Sequence, residues 1–170
     1  MSDRGSSDQN PEKTVRVLDP WSGTAAELAA RKGTQTISVC LPARNEQTTV
    51  GPIVEAIVDH LVGPGLVDEL LVLDDGSSDE TALVAKEAGA EVRAVSSVLT
   101  AESPGKGKGN VLWRSIAAST GDVIVWCDTD LTSFTPSYVT RLVAPLLLEP
   151  ELHFVKGYYV RPVDEAGRGG

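Results

Sequence analysis

Short apolar runs alternate along this chain with longer segments in which apolar residues recur every three or four positions. The short runs have the length and β-branched content of strands, and their near-continuous apolar character indicates strands covered on both faces. The longer segments have the period of amphipathic helices. The predicted strands are residues 36–41, 69–73, 92–95, 123–127 and 154–160.

Capping residues, glycine and proline mark the ends of the predicted helices. A capping box (Thr24 with Glu27) opens a short first helix that ends before Gly33, and residues 77–80 (SSDE) offer a second box. Thr48 or Thr49 caps the second helix, and the last helix should bend or break at Pro145, which lacks an N–H group. The later predicted helices are residues 50–61, 82–88, 110–120 and 135–147.

This order of strands and helices predicts an α/β fold with a mainly parallel sheet, helices on both faces and right-handed crossovers. The 170 residues fit one domain. The first 20 residues have no hydrophobic period and are rich in Ser, Asp, Pro and Gly. We therefore expect a mobile tail over residues 1–20 and the folded domain over residues 21–170.

Charge and hydropathy restrict the classes of function. Fifteen basic against 24 acidic residues give a net charge of −9, which disfavours binding to nucleic acid through its phosphates. No apolar run approaches the roughly 20 residues of a membrane span, and the polar start is unlike a signal peptide, so we expect a cytoplasmic protein. Cys40 and Cys127 lie in apolar runs and are predicted to be buried free thiols, with a disulfide as the alternative.

Polar and acidic residues follow three of the predicted strands, where ligands bind in open α/β sheets. Asp128 and Asp130 lie two residues apart after the fourth strand, so their carboxylates should point to the same side. A divalent cation would neutralise both, and Mg²⁺ commonly completes its coordination with phosphate oxygens. A solvated turn is the alternative for a lone Asp-x-Asp. The polar segments 42–46 and 74–77 after the first two strands favour the metal site.

A glycine-rich loop with two lysines, residues 104–109 (PGKGKG), precedes the fourth helix. Its backbone N–H groups and the Lys108 ammonium are suited to closing over a phosphate. The spacing matches neither a P-loop nor the dinucleotide fingerprint. A solvated linker remains the alternative interpretation.

Taken together, residues 41–46 (LPARNE), 74–81 (DDGSSDET) and 128–130 (DTD) resemble nucleotide-sugar glycosyltransferases of the GT-A fold. Residues 104–115 (PGKGKGNVLWRS) and 154–162 (FVKGYYVRP) resemble more specifically the actinobacterial glucosyl-3-phosphoglycerate synthases. The resemblance implies a Rossmann-like GT-A domain that transfers glucose from UDP-glucose to 3-phosphoglycerate, with Mg²⁺ or Mn²⁺ and with retention at the anomeric carbon.

The same resemblance implies a role for each candidate residue. Asp75 would accept a hydrogen bond from the uracil N–H, Asp128 would lie near the ribose and the metal, and Asp130 would bind the metal directly. Lys108 would contact the phosphates of the donor, so Lys108 and Asp130 are the candidate catalytic residues that stabilise the leaving diphosphate. The uridine-binding set also contains Pro42, Ala43, Arg44 and Glu46.

The resemblance also raises the question of completeness. Members of that family have longer chains, whose part after the fifth strand supplies the acceptor site and a histidine ligand to the metal. Because this sequence stops at Gly170, we expect a fragment or truncated product. A homodimer is implied as well. Two alternatives stay open: transfer to a polyprenyl or dolichyl phosphate, and a non-catalytic module that binds a UDP-sugar.

Overall fold

A parallel sheet forms the centre of the protein in the computed structural model, which describes residues 16–102 and 105–158. Its strands are β1 (Ile37–Ala43), β2 (Glu69–Asp74), β3 (Glu91–Ala94) and β4 (Val123–Trp126). They stand in the order β3-β2-β1-β4, and every neighbouring pair is parallel. The predicted α/β fold with a parallel sheet is therefore confirmed.

Helices follow the strands in the predicted order. The Thr24 capping box is confirmed, because the Glu27 N–H donates to Thr24 Oγ1 at 3.1 Å and the Thr24 N–H donates to Glu27 Oε2 at 2.7 Å. A π-helical turn (Val58–Val62) continues the second helix, and a 3₁₀ turn (Val95–Ser97) follows β3. The α-helices in the described residues are α1 (Ala25–Ala29), α2 (Val50–Ile57), α3 (Thr81–Glu87), α4 (Lys108–Ala118) and α5 (Ser137–Leu148).

The side chains of the central strands alternate between two apolar layers, as the period of a strand requires. Val39 and Leu41 pack in the layer that contains α1, α2, α3 and α5, whereas Cys40 and Leu71 pack in the layer that contains α4. Helices therefore cover both faces, as predicted. Cys40 and Cys127 are buried free thiols, which confirms that interpretation, and burial raises the pKa of each to about 12.

The capping box predicted over residues 77–80 is wrong. Helix α3 begins at Thr81 after Glu80, and the Asp79 carboxylate, not the Ser77 hydroxyl, accepts a hydrogen bond from the Thr81 N–H, at 3.0 Å. The Ser77 hydroxyl is instead bonded to the loop after β1, where it accepts a hydrogen bond from the Asn45 N–H at 3.0 Å. A contact between distant segments has thus replaced the local one that the spacing favours.

Two further predictions near the end of the chain differ from the structure. Residues 154–158 form no strand, and residues 159–160 lie outside the described part. Phe154 and Tyr158 are 72% and 73% exposed, so this segment has no apolar layer to pack on in the described residues. Helix α5 continues through Pro145, so the predicted break is wrong; its residues Val143 and Ala144 are buried against the core and hold the helix in place.

The predicted tail is described only over residues 16–20, which contain no helix or strand, and residues 1–15 lie outside the described part. Helix α4 begins two residues earlier than expected, at Lys108. Within the described ranges, the structure contains no helix with the length and apolar character needed to cross a bilayer.

Candidate functional site

The loops after β1 and β2 are bonded to each other at the carboxyl edge of the sheet. The Ser78 N–H donates to Asn45 Oδ1 at 2.8 Å, and the Asn45 N–H donates to the Ser77 hydroxyl at 3.0 Å. One residue further, the Glu46 N–H donates to Thr81 Oγ1 at 2.7 Å. These bonds make one surface of two segments that lie more than 30 positions apart.

Asn45 is central to this surface, although the sequence analysis did not select it. Its φ angle of 58° lies in the left-handed region, which asparagine adopts more readily than most residues. Gly76, in the facing loop, has a φ angle of 72°. An asparagine in the loop just after a strand is the sequence signal that identifies such a position.

We expect Asn45→Ala to lower the free energy of unfolding by about 2 kcal/mol, because it removes the amide acceptor and places alanine in a left-handed conformation. Asn45→Gly keeps the backbone conformation accessible and loses only the side-chain bonds, so it should cost about 1 kcal/mol. Urea unfolding measures both values. A glycine variant as unstable as the alanine variant would show that the backbone conformation of Asn45 contributes nothing.

The structure brings all the candidate site residues together. They line one cleft of about 260 Å³ at the carboxyl edge of the sheet, together with three residues that the sequence analysis did not select: Gly107, Val111 and Thr129. The Thr129 hydroxyl donates to the Pro42 carbonyl at 2.7 Å and so joins the loop after β4 to the end of β1. The predicted residues in the cleft are Pro42, Ala43, Arg44, Glu46, Asp75, Lys108, Asp128 and Asp130.

A larger cleft, of about 420 Å³, lies near the amino ends of β2 and β3. Its carboxylates are bonded within the fold. Lys32 donates to Asp68 at 2.8 Å, and Glu69 accepts from the Ser38 hydroxyl at 2.5 Å and from the Thr120 N–H at 2.9 Å. These acidic groups stabilise the ends of the strands, so we place the candidate site in the smaller cleft.

Cations and anions alternate around the smaller cleft. The Lys108 ammonium forms an ion pair with Asp128, and Arg44 Nη1 lies 3.8 Å from Asp75 Oδ2. Lys108 is also the first residue of α4, and no side chain caps that helix start. A helix start and a lysine ammonium both attract negative charge. The cleft therefore has groups suited to an anion directly beside carboxylates suited to a cation.

The carboxylates present fit a metal ion that is shared with a bound phosphate. Within the described residues, no three His, Cys, Asp or Glu side chains form a group that could hold a metal. Mg²⁺ is often bound by one or two carboxylates, with waters and substrate phosphates as its other ligands. Asp128 and Asp130 meet that requirement, and both line the cleft.

Comparison with known proteins agrees with this geometry. Residues 38–168 match the family model described as Glycosyl transferase family 2. The chain belongs to glycosyl transferase family 2. The glucosyl-3-phosphoglycerate synthase of Mycolicibacterium smegmatis is 51% identical over 146 residues, which are 86% of this chain and 48% of that protein. The synthase of Mycolicibacterium paratuberculosis is 44% identical over 169 residues, which are 98% of this chain and 51% of that protein.

Solved structures of such synthases share the fold of this family 2 chain. The crystal structure of Mycobacterium tuberculosis glucosyl-3-phosphoglycerate synthase matches with a TM-score of 0.71 and 44% identity, over 76% of this chain and 47% of that one. Its complex with Mn²⁺, UDP and glucosyl-3-phosphoglycerate gives 0.72 and 42%, over 78% and 47%. The GT-A fold expected from the sequence is confirmed. The chain spans about half the length of the curated relatives that it matches.

Proposed function

We propose that this chain forms the donor-binding part of a metal-dependent glycosyltransferase that moves glucose from UDP-glucose to 3-phosphoglycerate. The main support for the proposal is that the predicted uridine segment, the Asp-x-Asp carboxylates and Lys108 all line one cleft. The identity of 44–51% to proteins named glucosyl-3-phosphoglycerate synthase supports it. So does a related structure with Mn²⁺, UDP-glucose and phosphoglyceric acid, matched at 43% identity.

In this proposal the loop surface between β1 and β2 binds the uridine. The Asp75 carboxylate, which has Arg44 Nη1 at 3.8 Å, accepts a hydrogen bond from the uracil N–H. Pro42, Ala43 and Glu46 line the same cleft. Because the Asn45 bonds hold this surface in the free protein, little conformational entropy is lost on binding.

The opposite side of the cleft stabilises the leaving group. Cleavage of the bond between glucose and phosphate leaves negative charge on the diphosphate of UDP, and the Lys108 ammonium and the start of α4 are placed to stabilise it. Asp130, with Asp128, would hold a Mg²⁺ or Mn²⁺ ion, which supplies Lewis-acid stabilisation of the same charge when bound. In the free protein the Lys108 ion pair neutralises Asp128.

The proposal also covers the oligomeric state and the cellular location of the protein. It includes a homodimer, which the family resemblance implies, and a cytoplasmic location, which the composition of the chain favours.

Calorimetric titration of UDP-glucose into the 170-residue chain tests the proposal. We expect heat of binding with Mn²⁺ and none with EDTA, and much weaker binding of ADP-glucose, which offers no uracil N–H to Asp75. The same sample is then assayed with 3-phosphoglycerate. Transfer would show a complete catalytic unit, and binding without transfer would show a donor-binding part. Absence of binding with either metal would overturn the proposal.

A further inference from the structure

The segment between β3 and α4 carries Gly105 and Gly107 next to Lys108 of the cleft, and both of its described ends contact α4. Arg114 lies in the middle of that helix and is only 3% exposed. A guanidinium is stable at such a position only when its donors are paired. Hydrogen-bond partners of Arg114 lie at or next to the two described ends of this segment.

At the entrance of the segment, Arg114 Nη1 donates to two successive backbone carbonyls. One is the carbonyl of Val98, and the other is the carbonyl of Leu99, at 3.0 Å. Leu99 has a φ angle of 52°, a left-handed conformation that is unfavourable for a leucine and needs such support. A lysine, with its single nitrogen on a flexible stem, cannot make both of these bonds and also the bond that Arg114 Nε donates to Asn110.

At the exit of the segment, the same guanidinium acts through Asn110. Arg114 Nε donates to Asn110 Oδ1 at 3.2 Å. Gly105 packs closely on this amide, because a Cβ atom built on Gly105 would lie 2.3 Å from Asn110 Oδ1. One buried side chain therefore ties both ends of the segment to α4, close to Gly107 and Lys108 in the cleft.

We propose that Arg114 is a positioning residue for diphosphate binding: by clamping residues 98–99 directly and Gly105 through Asn110 onto α4, it fixes where the backbone around Gly107 and the ammonium of Lys108 meet the phosphates. This inference rests on the proposed function, since it concerns the diphosphate side of the same cleft. Arg114 itself does not line the cleft.

Arg114→Lys tests this positioning role, because it keeps the positive charge but cannot make all the bonds of the guanidinium to Val98, Leu99 and Asn110. We expect its affinity for UDP to fall about tenfold, the loss that follows when one charge-assisted bond to phosphate is misplaced. Its affinity for uridine, which has no phosphate, should stay within about twofold of wild type, a change of at most ~0.4 kcal/mol. A purely structural role would lower both affinities together, and that result, or an unchanged affinity for UDP, would overturn the proposal.

Arg93→Lys is the matched control. Arg93 Nη1 donates at 2.9 Å to the carbonyl of Ala118, at the other end of α4, and lies outside the cleft. We expect it to leave the affinities for UDP and uridine unchanged. If Arg114→Lys does not fold, Asn110→Ala, which removes the amide that accepts from Arg114 Nε and packs on Gly105, decides by the same two titrations.

Hydrogen exchange of the unliganded proteins separates this inference from the proposed function. Backbone amides of residues 105–109 should exchange faster in Arg114→Lys than in wild type, whether or not the chain binds UDP. Unchanged exchange would overturn the clamp. Failure of the wild-type chain to bind UDP would overturn the proposed function and leave the exchange result to decide the clamp.

Discussion

Asp130→Asn is expected to abolish metal-dependent binding of UDP-glucose while leaving the fold intact. The side chain is exposed at the cleft, so its replacement costs little in packing. An amide carries no charge to bind the cation. Mutation of residues that only hydrogen-bond to a metal ligand lowers the affinity for the metal by about 10- to 100-fold. Loss of a direct ligand should therefore lower it by more than about 100-fold. Calorimetry with Mn²⁺ and with EDTA measures the effect, and thermal unfolding checks the fold.

Asp59→Asn provides the control for this variant. Asp59 is exposed on the π-helical turn after α2 and does not line the cleft. The Asp59→Asn substitution removes one negative charge, as Asp130→Asn does, so any effect of net charge alone appears in both variants. Unchanged affinity of Asp130→Asn in the presence of the metal would contradict the assignment of Asp130 as a metal ligand.

Lys108→Ala should weaken binding of UDP-glucose by about 1.5 to 3 kcal/mol, the range for a hydrogen bond to a charged group. The loss arises at the diphosphate, so the affinity for uridine should not change. Lys106→Ala is the matched control, because Lys106 lies two positions earlier in the same segment and does not line the cleft. Titrations of UDP-glucose and uridine into both variants give the comparison.

Part of the affinity that Lys108→Ala loses has a second cause, which a further variant can measure. Removing Lys108 leaves the Asp128 carboxylate without its partner and close to the incoming phosphates. Asp128→Asn, alone and combined with Lys108→Ala, completes a double-mutant cycle that separates this repulsion, and any loss of metal binding at Asp128, from the contact between Lys108 and the phosphates. An equal loss of affinity for UDP-glucose and for uridine in Lys108→Ala would show that this residue acts elsewhere.

The main features of the fold were predictable because they depend on patterns within single segments. The apolar runs that became β1 and β2 are long and buried on both faces, and the strand ends carry the polar residues that line the cleft. Parallel order then follows from the alternation with helices. The cleft could therefore be located from residues 42–46, 75, 108 and 128–130.

The features that were missed depend on contacts between distant segments. Ser77 has the spacing of a helix cap, but its hydroxyl is bonded to the loop after β1. Arg114 has the charge of a surface residue, yet it is buried under the carbonyls of Val98 and Leu99. Neither pairing leaves a local signal, because the partner residue is set by the packing of the whole domain and not by spacing along the chain.

The position of β1 between β2 and β4 also determines when the domain can form during its synthesis. Strand β2 follows β1 closely, but β4 pairs with β1 only across a long stretch of chain, with Ile37 opposite Val123. Pairings this distant in sequence form slowly, since a large loop must close first. One edge of the central strand therefore stays unpaired until β4 has left the ribosome, and over that interval it exposes free backbone N–H and C=O groups.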